Sequence, residues 1–220
     1  MRPVVRWMKA AGLTARSEFV TPWGVCDLVG LRFNANNLAR RIRLKQTRAV
    51  SSITRAMILL EIPDVETRRF VTLEKLRRHW TGSFREETIR RETDRLIADG
   101  FVILSRKSRL QKINGWMPLQ DRLVAVELKL SRIEEAMRQA LNNVAFADES
   151  YVALPDAIAK RVASRPSRWS RFFEAGVGLL GVTPHRCRVV VSPKKAEQWK
   201  DKPVQLYCVE KFWRSRLKGN

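Results

Sequence analysis

Cysteine is scarce in this chain. Cys26, Cys187 and Cys208 are scattered and form no CxxC pair. Such a count excludes a disulfide framework and a cysteine zinc site, and it fits a reducing, cytoplasmic setting. There are two histidines, His79 and His185, too far apart for metal-ligand spacing. No apolar run comes near the ~20 residues that span a bilayer; Ala56 to Leu60 is typical. Arg2, Arg6 and Lys9 interrupt the apolar residues of the N-terminus, which leaves no signal-peptide core. Glycine and proline are not gathered into a linker, so a domain boundary here is a tight graft. Walker, GxSxG and HExxH motifs are absent. Acids are the last shortage: 22 against 43 bases in 220 residues, a net charge of +21. That excess calls for a polyanion, nucleic acid in the first place and an anionic membrane surface in the second.

What is present reads in three segments. Val4 to Ala11 is a short helix stopped by Gly12, followed by an extended pair over Glu18 to Phe33 broken at Pro22 and Gly24. Alternation places Val25, Asp27 and Val29 on one face and Cys26, Leu28 and Gly30 on the other. The middle turns helical: Val50, Ile53, Met57 and Leu60 have helical spacing, and Pro63 ends that run. A helix over about Thr72–Trp80 follows, then a turn at Thr81-Gly82. A capping box at Ser83–Glu86 opens a helix to about Asp99. A strand Phe101–Leu104 and a basic loop with Arg106, Lys107, Arg109 and Lys112 close the segment. The third segment has an apolar strand, Asp121–Leu130, a second capping box at Ser131–Glu134 and a helix to about Ala145. Strands at Tyr151–Leu154, Val177–Val182 and Cys187–Val191 and a last helix, about Val204–Leu217, complete it. Strand, helix, strand in that order predicts an α/β sheet.

The run Val126-Glu127-Leu128-Lys129-Leu130 concentrates the chemistry. Glu127 and Lys129 share a face, and Val126, Leu128 and Leu130 take the opposite, buried one. A carboxylate and an ammonium on an apolar strand are costly unless paired or used. If the strand of Asp27 lies beside it, Asp27 and Glu127 make a hard oxygen site suited to Mg²⁺ or Mn²⁺.

An acid in a hairpin strand, then ExK in the next, then a helix with a glutamine resembles the PD-(D/E)xK nuclease superfamily. The resemblance covers roughly residues 1–33 and 119–191. It rests on Asp27, on Val124 to Leu130, on Ala136, Gln139 and Ala140, and on Tyr151 to Pro155. It implies a restriction-endonuclease-like mixed sheet flanked by helices. Asp27, Glu127 and the Leu128 carbonyl would hold the metal, Lys129 would position or polarise the attacking water, Gln139 would support from the helix, and Glu18 would be an additional acid. Cys26 stands where proline is common before the first acid, and Asn143 where an aromatic often follows the glutamine. About 100 residues separate the two acids.

Those intervening residues resemble a winged helix-turn-helix inserted between the strands that carry the acids. The expected organisation is therefore a discontinuous nuclease core, 1–37 and 116–220, interrupted by a winged helix over 38–115. Residues 38–118 hold 19 bases and 9 acids. Arg85, Arg90, Arg91 and Arg95 would line the recognition helix, and Arg106, Lys107 and Arg109 the wing, docking duplex DNA. Glu87, Glu92 and Asp94 also admit a plain solvated helix face. Trp169, Phe172 and Phe173 beside Arg168 and Arg171 read as packing against the sheet, with base stacking as the other reading; Trp199 and Trp213 suggest a phosphate-binding edge. The expectation is a Mg²⁺-dependent DNA endonuclease, with a homodimer if both strands are cut. The alternatives are a non-catalytic DNA-binding regulator built on the same scaffold and a nuclease acting on RNA.

Overall fold

A computed structural model describes residues 1–113, 117–194 and 200–218, the side chains of Lys107, Leu217 and Lys218 excepted. The chain forms two units: Met1–Phe33 with Gln120–Gln205, and Asn34–Leu119 with Leu206 onward.

The first unit is α/β, a six-stranded mixed sheet flanked by helices. After helix α1 (Arg2–Ala10), strands β1 (Thr14–Thr21) and β2 (Gly24–Phe33) form an antiparallel hairpin. Thr21 Oγ1 closes its turn, donating to the Gly24 carbonyl at 2.9 Å and accepting the Trp23 N–H at 3.2 Å. Gly24 sits at φ +135°, a conformation side chains resist. Strand β6 (Gln120–Leu128) pairs antiparallel with β2 and parallel with β7 (Glu149–Pro155). The sheet ends with β8 (Val177–Val182), parallel to β7, and antiparallel β9 (Cys187–Val191). Parallel neighbours need crossovers. Helix α6 (Ile133–Val144) supplies the first; α7 (Asp156–Ala163) and α8 (Pro166–Glu174) supply the second.

Period-two alternation sorts the strand side chains between two cores. Tyr151 and Ala153 pack with Leu28, Val124 and Val126 against Val4 and Met8 of α1. Val152 and Leu154 pack with Ala136, Met137, Ala140, Trp169 and Phe172 from α6 and α8. Burial on both faces explains why Tyr151 to Leu154 is a continuous apolar run. It also places Trp169 and Phe172 in the core.

The second unit holds α2 (Ala35–Arg43), α3 (Ile53–Glu61), α4 (Leu73–Trp80) and α5 (Glu86–Ala98). A three-stranded sheet, β3 (Val71–Thr72), β5 (Arg109–Lys112) and β4 (Val102–Ser105) in spatial order, packs with them. The core joins Ile58, Leu76, Ile89, Leu96 and Leu110. Helices α2, α7 and α8 are not among the elements expected from periodicity. Asn34 signals the first of these, its Oδ1 capping the Asn37 N–H at 2.9 Å.

Several expectations need correction. Ser83 does not open a capping box: its N–H and that of Phe84 both close on the Trp80 carbonyl, so α5 starts at Glu86 with no side-chain cap. Glu86 pairs instead with Arg77 at 2.8 Å. Nor does Ser131 cap α6, which begins after Arg132 in a left-handed conformation, φ +52°. Glu92 is no solvated acid. It is buried and bonded to Arg55 Nε at 2.8 Å. The last helix, α9 (Lys202–Lys218), does not stay with the first unit: Leu206 enters the second unit's core, and buried Glu210 accepts from Arg41 and from the Val50 N–H. Trp213 is buried too, donating Nε1–H to the Thr47 carbonyl, so it is no phosphate-binding edge. Trp199 and the expected boundary at 115 lie outside the described residues.

Candidate functional site

The ladder between β2 and β6 stops at the pair Leu28 and Val126. The next opposed pair would be Asp27 and Glu127. Directly opposed residues of antiparallel strands project to one face, here the one covered by α6. Where the ladder stops, the Leu128 N–H goes to Asp27 Oδ2 at 2.7 Å. The strands have opened, and a carboxylate fills the gap. Strand β1 is irregular at the same level: Ser17 and Phe19 pair with Leu28 and Cys26, while Glu18 between them sits at φ +48°. A left-handed conformation costs a side-chain-bearing residue about 1–2 kcal/mol. Glu18 is exposed, across the hairpin from half-buried Asp27.

This opening also breaks the expected alternation. Gly30 faces α1, where an added Cβ would meet Met8 Sδ and Leu13 at 3.2 Å. Cys26 does not join it. Its thiol donates to the Leu28 carbonyl at 3.3 Å, receives Asn143 Nδ2 at 3.5 Å, and lies beside Glu127. Leu130 was expected to be buried and is 82% exposed, because β6 ends at Leu128 and its pairing with β7 ends there too.

Helix α6 supplies the opposite wall. Glu135, Gln139 and Asn143 recur every four residues and lie along one stripe of that helix. Asn143 Nδ2 donates to Glu127 Oε1 at 2.7 Å at one end of the stripe. At the other, Glu135 stands 3.9 Å from Lys129 Nζ. Gln139 lies between them, and its buried Oε1 has no hydrogen-bond partner. A buried amide oxygen ordinarily accepts a hydrogen bond. Asp27, Glu127 and Lys129 are thus brought together, and Gln139 lies on the stripe of α6 between the two residues that reach them. Cys26, Glu135 and Asn143 join them unforeseen, although the four-residue spacing of the last two from Gln139 was visible.

Glu127 is 2% exposed. Burial pushes its carboxyl above the ordinary carboxylate range, and the neighbouring Asp27 charge adds to this. The Asn143 hydrogen bond, the Cys26 thiol and the Lys129 ammonium pull the other way. Burial also drives the Cys26 thiol well up, with the Glu127 charge second. Among the described residues no group of three or more His, Cys, Asp or Glu is placed to hold a metal.

In the second unit, Arg85, Arg90, Arg91 and Arg95 are exposed on or beside α5. Arg90 reaches Asp94 at 4.0 Å; Arg91 and Arg95 reach the Glu92 carboxylate at 3.3 and 3.2 Å. Arg106 follows β4 and is exposed. Arg109 lies within β5 rather than in a loop, its guanidinium 4.0 Å from the ring centroid of half-exposed Phe70. The Lys107 side chain lies outside the described residues.

No protein-family model matches the sequence, and no curated protein matches it. Among solved structures, a protein of unknown function from Silicibacter pomeroyi, SPO1766, is similar to it, with a TM-score of 0.44 and 12% identity over 99% of this chain and 86% of its own. No helix among the described residues is long and apolar enough to cross a membrane.

Proposed function

We propose that the chain is a metal-dependent DNA endonuclease of the PD-(D/E)xK type, with the Asp27–Glu127–Lys129 cluster as its site and a winged helix in the second unit that docks duplex DNA. The observation that carries the reading is the opened ladder. It leaves Asp27 and Lys129 close enough for their charges to act on Glu127, next to a helix whose stripe carries a buried amide oxygen without a partner among the described residues.

The donor set fits a hard cation. Each carboxylate spends one oxygen on a protein N–H and keeps a second, and the Leu128 carbonyl is a third oxygen at the same strand end. Asp27, Glu127 and Leu128 would hold Mg²⁺ or Mn²⁺. When bound, such an ion lowers the pKa of a water and draws charge from a phosphodiester. The protein's own groups do the rest. Asn143 fixes the rotamer of Glu127. Glu135 holds the Lys129 ammonium beside the site, where it stabilises charge developing on the phosphate oxygens. Gln139 Oε1 would accept a hydrogen bond from the attacking water and aim it. Glu18 is a further acid across the hairpin.

For the second unit, the support is the order of elements: helices α3, α4 and α5, then the β4–β5 hairpin, with exposed arginines on α5 and at the hairpin. Incubation of plasmid, linear and single-stranded DNA with Mg²⁺, Mn²⁺ or EDTA tests the proposal. Cleavage that requires the metal and disappears in Asp27→Ala and in Lys129→Ala, with DNA affinity retained, is expected. Binding without cleavage under every metal would move the chain to a non-catalytic DNA-binding regulator.

A further inference from the structure

A second feature of the first unit lies beside this cluster. Helices α6, α7 and α8 border an open cleft of about 740 Å³. Five arginines line it: Arg132, Arg138, Arg161, Arg165 and Arg168. Its two acids are already engaged, Glu134 by Arg171 at 3.0 Å and Glu135 by Arg132 at 3.1 Å. Among the described residues, Arg138, Arg161 and Arg165 have no carboxylate partner. Arg161 on α7, Arg165 at the junction and Arg168 on α8 line the same cleft with no counter-charge among the described residues. Arg165 is also the N-cap of α8, whose first turn carries no acid. The positive end of that helix adds to the field.

The floor of the cleft is apolar. Ile133, Ile158, Val162 and Trp169 line it, the last two buried, and Leu130 beside them is 82% exposed. The cleft also reaches the cluster, because Glu135 lines it and touches Lys129.

We infer that this cleft binds an unpaired strand of DNA and leads it to the Asp27–Glu127 site, an inference that rests on the nuclease reading and narrows its substrate. A duplex turns its base faces inward and offers phosphates to a surface, so an apolar floor gains nothing from it. An unpaired strand alternates phosphates with exposed base faces, and arginines above an apolar floor match both. The substrate class is DNA with a single-stranded segment: a flap, an overhang or a splayed junction.

The test is metal-free binding, read by fluorescence anisotropy in EDTA. The probes are a labelled single-stranded 20-mer, a blunt duplex, and a duplex with a single-stranded overhang. The triple variant Arg138→Ala, Arg161→Ala, Arg165→Ala removes three surface cations, and Leu130→Glu alters the apolar rim. The triple variant should weaken binding to the single strand and the overhang at least tenfold. Its log–log salt slope should fall by up to about 2, at about 0.7 for each phosphate contact. Leu130→Glu should weaken the same two probes. The blunt duplex should bind both variants within twofold of wild type. Equal loss on all three probes, or no loss on the single strand, overturns the inference, as does a wild-type protein that does not bind the single strand. The nuclease reading fails separately, through absence of metal-dependent cleavage while strand binding persists.

Discussion

Replacing Glu127 with glutamine should make the protein more stable and inactive at once. The carboxylate is 2% exposed, and burial with the Asp27 charge raises its pKa. Below the pKa of the unfolded carboxyl both states hold the proton, and stability is unaffected. As pH rises, the unfolded chain releases its proton first, so folding is penalised until the raised native pKa is passed; above it the penalty is full. Each pH unit of that difference is about 1.4 kcal/mol. Glutamine keeps an oxygen for the Asn143 N–H and removes the charge. At pH 8 it should therefore recover the whole penalty, and each 1 kcal/mol moves Tm by about 2–4 °C in a chain of this size. At pH 3, below the pKa of the unfolded carboxyl, neither protein is charged at this position in either state and the two should melt together. Circular-dichroism melts of Glu127→Gln and wild type across that range measure the difference. Metal-dependent cleavage by the variant at pH 8 should fall at least 100-fold, about 2.7 kcal/mol of barrier. A variant less stable than wild type at pH 8, or an offset that does not vary with pH, would refute the burial argument; retained cleavage would refute the site.

Three further outcomes are expected. Glu92→Ala leaves the buried Arg55 guanidinium with Asp99 at 3.7 Å as its remaining carboxylate and should cost up to about 3 kcal/mol in a denaturant titration, whereas Arg55→Met with Glu92→Leu should cost less. Arg90→Ala with Arg91→Ala should change sequence preference in a binding-site selection, while Arg106→Ala with Arg109→Ala should weaken all duplexes alike and flatten the salt slope by up to about 2; no effect from either pair would give the second unit a protein-contact role. Excising residues 34–119 while keeping 206–220 should yield an aggregating protein by light scattering, since Leu206, Val209, Phe212 and Trp213 lose burial worth about 1.5–3 kcal/mol each; removing both segments should leave a soluble first unit.

Local pattern determined much of this molecule. The buried apolar runs of β6 to β8 and the helical spacing of α3 and α5 name their own elements, because side-chain periodicity is a property of the chain. The basic excess and the stripe of Glu135, Gln139 and Asn143 are equally legible. What tertiary structure decided depends on partners distant in sequence. Only the register of β2 on β6 sets Asp27 opposite Glu127 and stops the ladder there, and only that opening turns Cys26 toward the carboxylate. Glu92 reads as a surface acid until Arg55 is packed against it. The same holds for Ser83, spent on the turn after α4, and for α9, whose Leu206 and Glu210 find their partners in the second unit. A residue's neighbours along the chain fix its face, but its environment, and with it its protonation, its exposure and its chemistry, is set by what the fold brings across from elsewhere.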